Sequence, residues 1–433
     1  MAVRNMPLLI MRRIIGEVAS GLVPVERAIA VRTGARWLIG VAIVAVLAMA
    51  YPFLPDTVAE SAAAAEVARV PRLRPAAGMT QPLPGASSFA GVNFWNVDWQ
   101  GQNEYFREGT DFSRTSDPWR KDLLEDLAPY RVLRFMDWAN TNAEQTSESH
   151  FATRKQKTSA QNQPVALEWQ IDLCNRTEKD CWLTFHHLAT EEDLRSAAQL
   201  IKASLKPSLR VYIEWSNEIW NGAFPQGRYA VSAARRLSLP GQNPAAAYLV
   251  HESVRLFEVF DQVFAADSQR VVRVLSGQSV WTGPCESHLE ALKDPRINPR
   301  GTWPDVYAIA PYLYGETIDA LTRNIPEAAK GVAAHAACAK TMGVPLISYE
   351  GGTDSFSLGA GCTKLQHSAG MRLLYTQYLD ALTAAGLRGP FMQYTYSGGC
   401  WGLKERTGDR ISDAPKLQGF MDWLRKVDPP PSG

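Results

Sequence analysis

Two glutamates, Glu218 and Glu350, each close a run that reads as a buried β-strand. The first run, Val211-Tyr212-Ile213-Glu214-Trp215-Ser216-Asn217-Glu218, is β-branched and aromatic until it ends in an Asn-Glu pair. The second is Val344-Pro345-Leu346-Ile347-Ser348-Tyr349-Glu350, followed by Gly351 and Gly352, which let the backbone turn sharply. Two carboxylates at the C-terminal ends of separate strands are what double-displacement cleavage of a glycosidic bond requires, one as proton donor and one as nucleophile. A glutamate after a strand is, taken singly, more often a solvated or helix-starting residue, so the fold must bring the two together.

The elements that could do so alternate from Phe89 onward. Strands are expected over residues 89–94, 131–137, 181–187, 211–217, 270–275, 305–312, 344–350 and 390–396. Helices are expected over 118–127, 165–173, from the capping Thr190 with its early acids, and over 226–237, 245–266, 318–342, 365–385 and 415–425. This alternation predicts an α/β fold, a (β/α)8 barrel. A doubly wound open sheet is the competing architecture, but it would place a Gly-rich phosphate turn after strand one, and Gly91-Val92-Asn93-Phe94-Trp95 is not one. In a barrel the C-terminal strand ends meet on one face. That face would gather Asn93 and Trp95, Arg134 and Asp137, His186 and His187, Asn217 and Glu218, Tyr312, Glu350 and the segment to Trp401. The loop over 139–163 is too long for a simple connector and reads as a substrate-facing flap.

With those residues in place, the chain resembles the large clan of retaining glycoside hydrolases with (β/α)8 barrels, over residues 89–423. That clan carries an Asn-Glu acid/base pair at the end of strand four and a nucleophilic Glu at the end of strand seven, matched here by Asn217-Glu218 and Glu350. The segment Glu214-Trp215-Ser216-Asn217-Glu218-Ile219-Trp220-Asn221 also resembles bacterial proteins described as cellulose-binding, so a non-catalytic exopolysaccharide-binding barrel is the alternative. The resemblance implies that Glu218 is the general acid, its pKa raised by burial and by the charge of Glu350. Glu350 would be the ionised nucleophile, steadied by Arg134 and the Tyr312 hydroxyl. Asn217 would bind the sugar 2-hydroxyl, and His186 or His187, lying on opposite faces of their strand, would help position that sugar. Trp401 would form a stacking floor, with Trp95, Trp138, Trp220 and Trp281 lining further subsites. No cofactor is implied. No metal is expected, because neither histidine has a carboxylate or Cys at ligand spacing.

Composition bounds the partners. Hydrophobic residues make up 46% and charged ones 21%, and the formal net charge of +1 offers nothing for nucleic acid. A polysaccharide or oligosaccharide is the expected partner, and the chain reads as a monomer. Residues 1–36 form a basic segment and 37–54 lack any charge, which reads as a transmembrane or signal segment with its N-terminus in the cytoplasm. Residues 55–88, rich in Ala and Pro, read as a tether to the domain over 89–433. The protein is therefore expected to be exported, either anchored at the periplasmic face of the inner membrane or secreted after cleavage near Ala62-Ala63-Ala64. Six cysteines suit an oxidising compartment and match no zinc spacing. Cys174 and Cys181 flank a short polar loop and could be joined, as could Cys362 and Cys400 on late loops; buried free thiols are the competing reading.

Overall fold

In the computed structural model, residues 89–94, 104–158, 164–359 and 361–428 are described. The expected anchor, the tether and Trp95 lie outside them. Among the described residues no helix is long and apolar enough to cross a membrane.

Eight parallel strands form the centre: β1 (Ala90–Asn93), β2 (Val132–Arg134), β3 (Asp180–Phe185), β4 (Val211–Trp215), β5 (Val271–Ser276), β6 (Val306–Ile309), β7 (Leu346–Ser348) and β8 (Phe391–Gln393). Each pairs with the next in sequence from β1 to β7, and β1 also pairs with β8. Backbone bonds from Ser348 N to Pro390 O (3.1 Å) and from Arg388 N to Leu346 O (2.8 Å) close the remaining seam. The sheet is thus a closed barrel, and full closure leaves no open edge.

Period-two alternation sorts the side chains. Val132, Trp182, Tyr212, Val274, Val306, Ala308, Ile347 and Met392 pack inside the barrel, whereas Leu133, Leu183, Ile213, Ile309 and Phe391 pack outward beneath the helices. Gly91 faces inward where a Cβ would lie 2.0 Å from the Met392 sulfur, so only glycine lets that methionine fill the barrel.

The outer layer contains α1 (Lys121–Asp126), α2 (Leu167–Thr177), α3 (Glu191–Ser204), α4 (Pro225–Arg236), α5 (Pro244–Phe264), α6 (Gly283–Lys293), α7 (Ile318–Met342), α8 (Gly361–Gln366), α9 (Met371–Ala385) and α10 (Pro415–Val427). Thr190 and Asp193 cap α3 reciprocally, and Gly343 ends α7 in the left-handed conformation. Three expectations are corrected. Helix α6 has no counterpart in the sequence reading, since its stretch from Gly283 has no strong apolar stripe and opens on Gly-Pro. The helix expected over 365–385 is two helices, parted at Ser368-Ala369-Gly370. The helix after β1 starts at Lys121, beyond Pro118, whose carbonyl accepts from Arg107 N instead.

Ion pairs gather at the N-terminal end of the barrel. Asp180 accepts from Arg131 and Arg210, and Arg273 pairs with Asp305 and Asp261. Three disulfides, Cys174–Cys181, Cys285–Cys338 and Cys362–Cys400, take up all six cysteines. Such bridges belong to extracellular or periplasmic proteins.

Candidate active site

The inward positions turn polar toward the C-terminal ends of the strands. On β2 the residue two beyond Val132 is Arg134, and on β4 the residue two beyond Tyr212 is Glu214; both are wholly buried. Arg134 donates through Nε to Glu214 Oε2 (3.1 Å), through Nη1 to Asn93 Oδ1 (3.0 Å) and Glu350 Oε1 (2.7 Å), and through Nη2 to Asn217 Oδ1 (3.1 Å). Trp182 Nε1 also donates to Glu214 Oε2, at 2.9 Å. Burial opposes the Arg134 charge, but Glu214 and Glu350 outweigh it and hold the guanidinium above its ordinary pKa. One buried cation therefore ties together strands β1, β2 and β4 and the segment after β7.

Glu350 follows β7 by two residues. Its second oxygen, Oε2, accepts from the Tyr312 hydroxyl at 2.9 Å. Burial raises its pKa, while Arg134 and the Tyr312 bond pull against that rise. Gly352, two residues on, has φ +140°, and a Cβ there would lie 2.8 Å from the Gln393 amide, so the glycine is required for the chain to leave the rim.

Beyond β4 the backbone bends twice through the left-handed region, at Ser216 (φ +57°) and Glu218 (φ +45°). Non-glycine residues adopt that conformation seldom and at a cost, and such positions cluster where side chains must be aimed. Asn217 Nδ2 donates to Asn142 Oδ1 (3.3 Å), and Gln226 Nε2 donates both to Asn142 Oδ1 (2.5 Å) and to the Asn217 carbonyl (2.8 Å). Glu218 Oε2 accepts from Asn221 Nδ2 (3.0 Å), and the Tyr349 hydroxyl reaches Oε1 at 3.5 Å. Burial, then the charge of Glu350, pushes Glu218 up to about 8. Two carboxyl groups in one electrostatic neighbourhood thus differ in support: Arg134 grips Glu350 and leaves Glu218 to amide and hydroxyl partners.

Trp401 lies at the rim with its ring 6.2 Å from Tyr394, and Gln393 Nε2 donates to its carbonyl. Trp281 is 61% exposed in the loop after β5. Asn93 comes to the site but turns inward: it is buried, accepts from Arg134 and donates to the Tyr349 carbonyl at 3.0 Å, so it braces the arginine rather than facing a ligand. Trp138 is wholly buried, stacked against Phe94 and Trp119, and is core rather than subsite.

The histidines require correction as well. Strand β3 ends at Phe185, so alternation no longer separates His186 from His187, and their rings lie 4.3 Å apart. His186 Nε2 contacts the Ala143 carbonyl (2.9 Å), and His187 packs against Tyr229. Burial lowers the pKa of both, His187 to about 3, and His186 braces the loop after β2 while His187 packs toward α4. Among the described residues no cluster of three or more His, Cys, Asp or Glu could hold a metal.

Glu214 has no counterpart in the sequence reading, and Asp137 has a place there but no role. Glu214 lies on the inward face of β4 two residues beyond Tyr212, which stands in register with Trp182 and, through it, with Arg134, a signal present in the alternation itself. Asp137 sits at the outer end of β2, where Tyr394 donates to its Oδ2 at 3.1 Å. Burial and the charge of Glu350 raise it to about 7. Tyr349, Tyr394, Asn142 and Gln226 carried no signal, because only the folded rim brings them near the carboxylates.

No protein-family profile and no curated protein matches the chain. Solved structures do resemble it. The family 51 α-L-arabinofuranosidase AbfB from Bifidobacterium longum is 8% identical, with a TM-score of 0.52 over 79% of this chain and 74% of that one. The GH51 arabinofuranosidase from Xanthomonas axonopodis pv. citri is 13% identical (TM-score 0.47; 74% and 69% covered), and a modular endo-β-1,4-mannanase from Cellulomonas fimi is 12% identical (TM-score 0.44; 78% and 77% covered). At such identities the likeness is one of fold, and the first match supports the (β/α)8 barrel.

Proposed function

We propose that this protein is a retaining glycoside hydrolase acting on β-linked polysaccharide or oligosaccharide. The observation that carries the reading is the unequal support of two neighbouring carboxyl groups: Glu350 held by Arg134 and Tyr312, Glu218 raised to about 8. In the first step the Glu350 carboxylate attacks the anomeric carbon while the glycosidic C–O bond breaks. Glu218 gives its proton to the departing oxygen, leaving a glycosyl ester on Glu350. In the second step Glu218, now ionised, takes a proton from water; the water oxygen bonds to the anomeric carbon and the ester bond to Glu350 breaks. Asn217, its amide oxygen held by Arg134 and one amide hydrogen by Asn142, presents its other hydrogen to the sugar 2-hydroxyl.

The three disulfides support export, and the uncharged segment over 37–54 supports a membrane anchor or signal. The test is to incubate the full chain with a panel of β-glycans and measure new reducing ends, following the first-formed anomer by NMR. Product of retained configuration that vanishes in Glu350→Ala is expected. Binding across the panel without product would favour the exopolysaccharide-binding alternative, and an inverted product would rule out the ester intermediate.

A further inference from the structure

Four carboxyl groups surround Arg134, more than a two-carboxylate hydrolysis uses. Glu350 and Glu214 contact it at 2.7 and 3.0 Å, and Glu218 and Asp137 both lie within its electrostatic reach. Each guanidinium nitrogen already donates to the protein: Nε to Glu214, Nη1 to Asn93 and Glu350, Nη2 to Asn217. Wholly buried and bound on every side, this arginine cannot swing out to meet a carboxylate on a ligand. An anionic sugar entering here would face like charge, its natural counter-ion already engaged.

The cleavage steps leave over Glu214 and Asp137, and of these Glu214 is wholly buried whereas Asp137 remains partly exposed. Tyr394, which donates to it at 3.1 Å, has its ring 6.2 Å from Trp401 and, edge-on, 6.3 Å from Tyr312. Tyr312 in turn binds Glu350. Asp137 is therefore linked through Tyr394 to Trp401 on one side and through Tyr312 to Glu350 on the other, so a sugar stacked on the indole above Glu350 would turn its hydroxyl edge toward Asp137 and Tyr394. A carboxyl group paired with a phenol suits that edge: with the phenol hydrogen given to Asp137, the carboxyl and the phenol oxygen both accept from sugar hydroxyl groups.

Resting on the hydrolase reading, we propose that the site takes an uncharged, hydroxyl-rich sugar over Glu350, that Asp137 and Tyr394 read its hydroxyls, and that uronic acids are excluded. A site built to hydrogen-bond hydroxyl groups rejects ligands that leave those partners unmatched far more sharply than an apolar pocket does.

The experiment uses the full chain with four neutral β-glycans (glucan, xylan, mannan, galactan) and two polyuronates (polygalacturonate and polymannuronate). Reducing ends are measured in solution, and binding by the retardation of the chain in gels containing each polymer. Cleavage and retardation are expected with at least one neutral polymer and with neither polyuronate. Asp137→Asn, verified as folded by its circular dichroism, should lower kcat/KM on the neutral polymer about tenfold or more and narrow the preference over polyuronate. Tyr394→Phe should lower the same kcat/KM. Cleavage of a polyuronate as fast as of any neutral glycan would overturn the inference and leave the hydrolase reading standing. Retardation by neutral polymer with no cleavage anywhere would do the reverse. Neither cleavage nor retardation with any polymer would overturn both. An unchanged kcat/KM in Asp137→Asn would remove Asp137 from its assigned role.

Discussion

Arg134 Nη1 lies 2.7 Å from Glu350 Oε1, a buried ion pair between the second and seventh strands of the barrel. The same guanidinium holds Glu214, Asn93 and Asn217, so a single side chain sets the geometry of both strand ends that carry the carboxylates. Removing it leaves Glu214 buried without a cation. Arg134→Ala should therefore destabilise the fold by about 3–5 kcal/mol, read as a lower denaturation midpoint. Arg134→Lys keeps the charge but not the fork, and should lower kcat/KM about 10- to 100-fold with a smaller loss of stability.

Glu218→Gln should slow cleavage of ordinary glycans by about 10²–10⁴-fold. Aryl glycosides whose leaving group needs no proton should be cleaved in the first step at close to the wild-type rate, seen as a burst of phenol. An equal loss on both substrate types would show that Glu218 is not the acid.

The pH profile follows from the same residue. Glu218, raised to about 8, holds its proton through neutrality, so kcat/KM should fall as pH climbs through about 8. That alkaline limb should be missing in Glu218→Gln. Stability runs in step: a carboxyl whose folded pKa lies above its unfolded value favours the folded state at low pH, and this contribution is lost as pH rises from about 4.5 toward about 8. Glu218→Gln should thus raise the melting temperature at pH 8 and leave it unchanged near pH 4, checked by calorimetry at the two pH values.

Gln226 touches no reacting group in this scheme, yet it donates to both Asn142 and the Asn217 carbonyl. Gln226→Ala should loosen Asn142 and the Asn217 backbone, and with them the aim of the Asn217 amide, and lower kcat about tenfold with little change in KM. A 2-deoxy substrate, lacking the hydroxyl that Asn217 serves, should show a smaller effect, and an equal effect would exclude this route.

The Cys362–Cys400 bridge ties the residue before Trp401 to helix α8 and closes a loop with a sequence separation of 38. Replacing both cysteines with serine should cost about 2–4 kcal/mol of stability. Substrate affinity should fall as well, because the loop bearing Trp401 loses an anchor; isothermal titration with an oligosaccharide against Glu350→Gln background would measure it.

Much of this was legible in the chain. Barrel architecture followed from eight strand–helix units in succession, and in the closed barrel inward Val132, Tyr212 and Ile347 and outward Leu133, Ile213 and Leu346 obey a period of two set by strand geometry. Glu218 and Glu350 stood out because polar residues ending apolar runs mark strand ends. His186 and His187 misled for the same reason, since the strand stops two residues earlier than its sequence suggests and the alternation stops with it. Trp138 misled because indole serves a core as well as it serves a sugar, and only burial distinguishes the two.

Local sequence by itself determined where strands begin, which faces are apolar, and which two carboxyl groups end their strands, because these depend on neighbours a few residues away. Tertiary structure alone decided that Arg134 also grips Glu214, that Asp137 pairs with Tyr394, and that Asn93 faces inward. Those contacts join residues as many as 257 positions apart, and the pKa values of the site arise from burial and charges that exist only once the barrel has closed.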